Sequence, residues 1–337
     1  MSWIASSVAS ASANDPTHFS SFILGHPMST PPSHLIVLGS VNTDLVIHGS
    51  RLPRPGETVL GGKFFQAAGG KGANQAVAAA RASETPVTFI AAVGDDDYGR
   101  EALGRFNSEN LCCDFIRTVP NNPTGVAIIL VDGRGENMIG VASGANMHLS
   151  AADVNAVPDK TFADARVLLT CLESPLPAVT RAFERAKAAG LTTILNSAPV
   201  IDAAAVIDLL PLVDVVTPNA VEASALSGVD VFDEASALSA ARVIQKRGCP
   251  RVIVTLGSRG SLLVESKHSF IPSRPVTPVD STGAGDAFSA TLAVALAEGR
   301  PLDEAVSRAT TAASICVSRQ GAQPSLATRE EIDAADA

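Results

Sequence analysis

From His34 onward, short β-branched runs alternate with alanine-rich stretches of helical period, and this alternation restricts the chain to helices packed on a mostly parallel sheet. The first run is Leu35-Ile36-Val37-Leu38-Gly39. Gly72 to Arg81 is alanine-rich and reads as a helix, and Val87-Thr88-Phe89-Ile90-Ala91 reads as the next strand. Val167 to Leu172, Thr192 to Asn196, Val213 to Thr217 and Arg251 to Leu256 repeat the strand pattern, with helical segments between them. The expected fold class is α/β, a doubly wound, mostly parallel sheet flanked by helices.

Two early stretches break the rhythm. Val41 to Phe65 is one; the other is Gly125 to Ala142, where Val126 to Val131 and Asn137 to Val141 flank the turn sequence Asp132-Gly133-Arg134-Gly135. Both read as hairpins inserted into the main domain. They are expected to form a small β-sheet lid, contributed by about 41–65 and 125–142, whose open face suits a substrate or a second subunit.

Met1 to Ser33 is rich in Ser, Ala, Pro and Thr and holds no Lys or Arg, so a flexible extension is expected over 1–33 and one domain over 34–337. The extension lacks the positive start of a signal peptide and the arginines of a mitochondrial presequence, so a cytoplasmic location is expected, with organelle targeting left open. Across 337 residues, 46% are apolar, ample for a sizeable core. A net charge of -9 argues against a general nucleic-acid or membrane-surface binder, which needs a basic face. Phosphate must then be handled locally. Five cysteines without a C-x-x-C pair suggest neither a disulfide framework nor a zinc site. No apolar run reaches the ~18 residues that a membrane span requires.

The most informative segment is Asp280-Ser281-Thr282-Gly283-Ala284-Gly285-Asp286-Ala287-Phe288, which runs into an apolar helical stretch. A glycine-rich turn at a helix start presents backbone N–H groups to an anion, and the helix dipole favours negative charge there. Gly283, Ala284 and Gly285 form the candidate anion hole. Asp286, in the first helical turn, is placed to accept a proton from an attacking hydroxyl. The same pattern also serves as a plain helix cap.

Ala68-Gly69-Gly70-Lys71-Gly72-Ala73-Asn74 opens the first long helix with glycines that permit close approach of a ligand, and with Lys71 and Asn74 as donors to hydroxyls. It is neither a Walker A loop nor a dinucleotide fingerprint, and a structural turn is the other reading. Asn42 and Asp44 stand two residues apart, hence on one face of an extended chain, where they can grip vicinal hydroxyls or form a strand-end turn. Asn219 and Glu222 stand three apart at a helix start, a spacing that can hold hydrated Mg²⁺ or make a capping box. Thr255-Leu256-Gly257-Ser258-Arg259-Gly260 is a strand-to-turn segment that can border a nucleotide or simply close a hairpin.

Taken in this order, the segments resemble the PfkB family of carbohydrate kinases, its ribokinase branch in particular, over residues 34 to 334. Pro55-Gly56-Glu57-Thr58, Gly135-Glu136-Asn137-Met138-Ile139-Gly140, Leu172-Glu173-Ser174-Pro175 and Gly321-Ala322-Gln323-Pro324-Ser325 strengthen the match. The resemblance implies ATP-dependent phosphorylation of D-ribose at O5 with Asp286 as catalytic base. It implies that Asn42, Asp44, Gly70, Lys71, Asn74, Glu173 and Asp286 contact the sugar. Asn219, the segment from Thr255 to Gly260, Gly285 and Thr310 would line the ATP site, with Glu222 organising Mg²⁺ through water. Asp280, Thr282, Cys316, Arg319, Gly321 and Ser325 fall where such kinases bind a monovalent cation, normally K⁺, mainly through backbone carbonyls. The 1–33 extension, Asn196-Ser197-Ala198-Pro199 and Thr310 depart from the family's usual pattern.

Deoxyribose, fructose or nucleoside kinases on the same scaffold remain alternatives, as does a non-catalytic sugar sensor. A nicotinamide oxidoreductase is disfavoured because no G-x-G-x-x-G opens the first crossover. A homodimer is expected from an exposed lid sheet.

Overall fold

The structure is a computed structural model, and it describes residues 34–336. In chain order the strands are β1 (Leu35–Leu38), β2 (Asn42–His48), β3 (Lys63–Gly69), β4 (Val87–Gly94), β5 (Leu111–Val119), β6 (Gly125–Val131), β7 (Asn137–Ala142), β8 (Val167–Thr170), β9 (Thr192–Leu195), β10 (Val215–Val216), β11 (Arg251–Thr255), β12 (Gly260–Val264) and β13 (His268–Pro272). Among the described residues they form a nine-stranded sheet, ordered β13-β12-β11-β10-β9-β8-β1-β4-β5, and a four-stranded sheet, ordered β3-β2-β6-β7.

From β11 to β5 every neighbouring pair is parallel, while β12 and β13 add an antiparallel hairpin at one edge. The doubly wound expectation therefore holds, with a mixed edge that the alternation did not announce. Strand β1 explains why its residues are all apolar: Leu35 and Val37 enter one core layer, Ile36 and Leu38 the other, as period-2 geometry dictates for a strand covered on both faces. Each fully buried aliphatic or aromatic side chain of this kind stabilises the fold by about 1.5–3 kcal/mol. Phe89 and Phe106 pack edge to face with ring centroids 5.5 Å apart, fixing β4 against the helix Asp97–Phe106.

The small sheet confirms the two inserted hairpins, with one change of boundary: β3 begins only at Lys63 and continues past Phe65 to Gly69. Strand β3 then passes through Gly70 directly into the helix Lys71–Ala82. Gly70 has φ 89°, and a Cβ there would lie 2.7 Å from the Asn42 nitrogen, so only glycine fits this corner. A Cβ on Gly72 would lie 2.3 Å from the Gly39 carbonyl carbon, so the helix start seats directly on the end of β1.

Val213 to Thr217 yields only the two paired residues of β10. The extension expected over 1–33 lies outside the described residues. Among those residues, no helix is long and apolar enough to cross a membrane.

Candidate active site

Strands β1 and β8 are parallel neighbours, yet the chain winds away from them in opposite directions, so their carboxyl ends open the crevice in which such sheets bind ligands. Ser40 leaves β1 there and Glu173 follows β8. The Ser40 hydroxyl donates to Glu173 Oε2 at 2.5 Å, and the Lys71 backbone N–H donates to the same oxygen at 2.9 Å. Glu173 is thus fixed at the N-terminus of the Lys71–Ala82 helix, where the dipole favours a carboxylate.

Asn42 opens β2, and its Oδ1 accepts from Asn146 Nδ2 at 2.8 Å. Asn146 in turn accepts the Val41 N–H at 2.8 Å and donates to the Val41 carbonyl at 3.1 Å, so it clamps the first residues of the lid. Asp44 lies on the same strand face. Burial, then the charge of Glu173, push its carboxyl up to about 6. Burial alone would lower the Lys71 ammonium, but the carboxylates of Asp286 and Glu173 outweigh it and hold Lys71 above its ordinary value. Asp44, Lys71, Glu173 and Asp286 therefore share one electrostatic neighbourhood, and Asn42 and Glu173 line one cavity of about 580 Å³.

Asp286 sits in the first turn of the helix Ala284–Ala297, which Gly283 caps with φ 83°. Its carboxylate is buried, 5% exposed. Asn74 Nδ2 donates to Oδ2 at 3.0 Å and Gln75 Nε2 donates to Oδ1 at 3.0 Å. Burial raises its proton affinity, opposed by the Lys71 charge and by these two amides. Asn74, expected to donate to sugar hydroxyls, gives one amide N–H to Asp286, and its Oδ1 is a buried acceptor without a protein partner.

Gly285, one residue before Asp286, lines a cleft of about 690 Å³ whose walls also include Asn219, Ala284, Thr310 and the whole segment from Thr255 to Gly260. The nucleotide-side residues read from the sequence are thus brought together. An isolated parallel bridge joins Asn219 to Thr255. Asn219 and Glu222 form a capping box: Asn219 Oδ1 accepts the Glu222 N–H at 2.9 Å, and Glu222 Oε2 accepts the Asn219 N–H at 3.1 Å. Glu222 Oε2 also accepts from the Ser197 hydroxyl at 3.0 Å. Among the described residues, no group of three or more His, Cys, Asp or Glu is gathered as a metal cage. In the candidate anion hole, the Ala284 N–H donates to the Ser281 carbonyl at 3.3 Å.

Two loops meet behind this turn. Asp280 Oδ1 accepts the N–H and hydroxyl of Thr282 at 2.9 and 2.7 Å, and Oδ2 accepts the Gly321 N–H at 2.9 Å. These donors outweigh burial and hold the Asp280 carboxyl below its ordinary range. The Cys316 thiol reaches the Thr282 carbonyl at 3.5 Å and the Ser325 hydroxyl at 2.9 Å. The Arg319 side chain points elsewhere, into an ion pair with Glu331 at 2.6 Å.

Residues 32–329 match the family described as pfkB family carbohydrate kinase. The chain belongs to this family. A pfkB kinase named as a ribokinase, from Haemophilus influenzae, is 42% identical over 300 residues, spanning 88% of this chain and 96% of that protein. The ribokinase structure from Thermotoga maritima superposes with a TM-score of 0.80 at 34% identity, covering 89% of this chain and 98% of the other. The Arabidopsis thaliana ribokinase complexed with ribose and ATP gives 0.81 at 32% identity, covering 91% and 98%.

As a pfkB kinase, the chain carries site residues that pattern reading passed over: Ser40, Gln75 and Asn146 all hold the residues that it found. The available signal was Asn74-Gln75, a polar pair among residues that, between Lys71 and Arg81, are otherwise small or apolar.

Proposed function

We propose that this carbohydrate kinase transfers the γ-phosphoryl group of ATP to O5 of D-ribose, with Asp286 as the base. The observation that carries the reading is the position of Asp286, a buried carboxylate between a polar cluster suited to a polyol and the cleft lined by Gly285. Asp44, Lys71, Glu173, Asn42 and the Oδ1 of Asn74 supply acceptors and donors for sugar hydroxyls. The Gly70 corner lets the sugar approach the backbone.

O5 attacks the γ-phosphorus as its proton passes to Asp286, the new P–O bond forms as the bond to the ADP oxygen breaks, and ADP leaves. Most of the acceleration in such transfers comes from positioning and charge stabilisation. The helix start at Gly283, Ala284 and Gly285 supports the developing negative charge. Closure of the small sheet over the sugar excludes water as a competing acceptor.

Glu222, a hard oxygen donor whose charge reaches Lys71, fits a hydrated Mg²⁺, which keeps most of its waters and needs only one or two carboxylates besides the substrate phosphates. Mg²⁺ held there would neutralise charge on the substrate phosphates. Asp280 and the carbonyl of Thr282, with Gly321 and Ser325 drawn against them, form an oxygen-rich pair of loops that fits K⁺; Arg319 could contribute only its backbone.

A second copy of the chain would complete the lid. Register puts Leu45, Ile47, Phe64, Ile128, Leu130 and Met138 on the sheet face opposite Asp44, and Phe64, Ile128 and Met138 are 64%, 54% and 54% exposed. With Asp44 and the sugar on one face, this apolar face is the one to bury in a homodimer.

The test is an ADP-release assay with ATP, Mg²⁺ and K⁺ across ribose, 2-deoxyribose, fructose and adenosine, with Asp286→Asn as control. Ribose is expected to give the highest kcat/KM, and the control to lose at least ~10²-fold, the scale of a missing general base. Preference for another acceptor would overturn ribose; near-normal turnover of the control would remove Asp286 as base.

A further inference from the structure

Gln75 is an unexpected residue to find wholly buried, 0% exposed, in a helix whose interior is otherwise mostly alanine. A buried amide is costly unless it is bonded, and the nitrogen of this one donates to Asp286 Oδ1 at 3.0 Å. Its own oxygen has no protein partner. Asn74 Nδ2 takes the other carboxylate oxygen at 3.0 Å, so two successive residues of one helix hold the two oxygens of one carboxylate.

We propose that Gln75 is a positioning residue for phosphoryl transfer: with Asn74 it pins the carboxylate plane of Asp286, so that one lone pair faces the attacking hydroxyl. Asn74 borders the sugar cluster, whereas Gln75 acts only through Asp286. The inference rests on the reading of Asp286 as base.

An amide N–H can donate to a carboxylate oxygen but cannot accept the proton that a protonated carboxyl would offer, so this donation favours the ionised base. Around Asp286 the other charged or titratable groups are Lys71, Glu173, Asp44, Cys171 and Cys316, from four other segments of chain. Of these Lys71 alone favours ionisation, and it must also serve Glu173 and Asp44. The amide of Gln75 therefore supplies support for the carboxylate that no second cation provides.

The test compares wild type, Gln75→Met, which keeps the shape and removes the donor, and Gln75→Asn, which keeps the amide on a stem one methylene shorter. Rates across pH 5 to 9, ribose and ATP KM values, and thermal unfolding are measured on each. The expected result for Gln75→Met is roughly a tenfold loss of kcat, KM values within about twofold, and an acid limb of kcat/KM moved to higher pH. The direction follows because loss of a donor to the carboxylate raises its proton affinity. Gln75→Asn is expected to fall between the two, and serves in place of Gln75→Met should that variant fail to fold. An unmoved acid limb in a folded variant overturns the proposal, whatever happens to kcat. Asp286→Asn, run in parallel, separates the two failures: if it retains turnover, the base assignment fails; if it is inactive while the Gln75 variants keep the wild-type profile, only the positioning role fails.

Discussion

Arg274 Nη2 donates to Asp336 Oδ1 at 2.8 Å, joining a wall residue of the nucleotide-side cleft to the helix Arg329–Asp336. Arg274 Nε also donates to Thr311 Oγ1 at 2.7 Å, and Arg308 Nη1 holds the second oxygen of Asp336 at 3.2 Å. Asp336→Ala frees Arg274 from the helix. Because the pair is partly exposed, it is worth about 0.2–1 kcal/mol, so the expected effect is a rise in ATP KM of about 1.4- to 5-fold with ribose KM unchanged. Steady-state kinetics with each substrate varied in turn check this; equal rises in both KM values would contradict it.

Asp44 couples stability to pH. Its carboxyl is raised from 3.8 to about 6, so between those values the folded chain binds more protons than the unfolded chain, and stability falls as pH rises through that window. Above about pH 6 the penalty is fully present. Asp44→Asn is therefore expected to be more stable than wild type at pH 7.5, by about 1–2 kcal/mol after allowance for solvent screening, with the gap closing toward pH 4. The same variant is expected to lose ~1–3 kcal/mol of ribose affinity through lost hydrogen bonds. Thermal unfolding at several pH values, with calorimetric titration of ribose, reads both; a pH-independent gap would sink the first claim.

The two loops joined by Asp280 and Gly321 are expected to answer to the identity of the alkali ion. Replacing K⁺ by Na⁺ should lower kcat several-fold in the wild type. In Asp280→Ala, which loses the carboxylate and its bonds to Thr282 and Gly321, the rate should be low and the same in both salts. Assays at constant ionic strength decide it, since an unaltered salt response in the variant would detach Asp280 from the ion.

Ile128 stands 54% exposed on the sheet face opposite Asp44. Ile128→Asp places a charge where the second copy would pack, at a cost of several kcal/mol to association and little to the monomer fold. Sedimentation velocity is expected to show a dimer for wild type and a monomer for the variant. A monomeric wild type would remove the interface.

The alternation of β-branched and alanine-rich segments revealed the parallel centre of the sheet because buried strands must be apolar on both faces. It missed β12, a five-residue run that follows the Gly257–Arg259 turn directly, and it missed β5 and β13, which lie at the edges and carry Cys112, Asp114, Arg117, His268 and Ser269. Edge strands are half solvated and so lose the uniform apolar run. In the site, residues carried by glycine-rich or capping motifs were legible, since backbone geometry constrains their neighbours in sequence. Ser40, Gln75 and Asn146 were not, because their partners are 133, 211 and 104 residues away along the chain.

One piece of chain runs from the outer edge of the small sheet, through the Gly69-Gly70 corner, into the helix that carries Lys71, Asn74 and Gln75. On the proposed assignment, recognition of the acceptor and support of the base are consequently inherited together. Lineages that change their sugar by altering this lid strand shift the proton acceptor's surroundings in the same step, and an engineer who grafts a lid from another kinase must carry the adjoining helix with it.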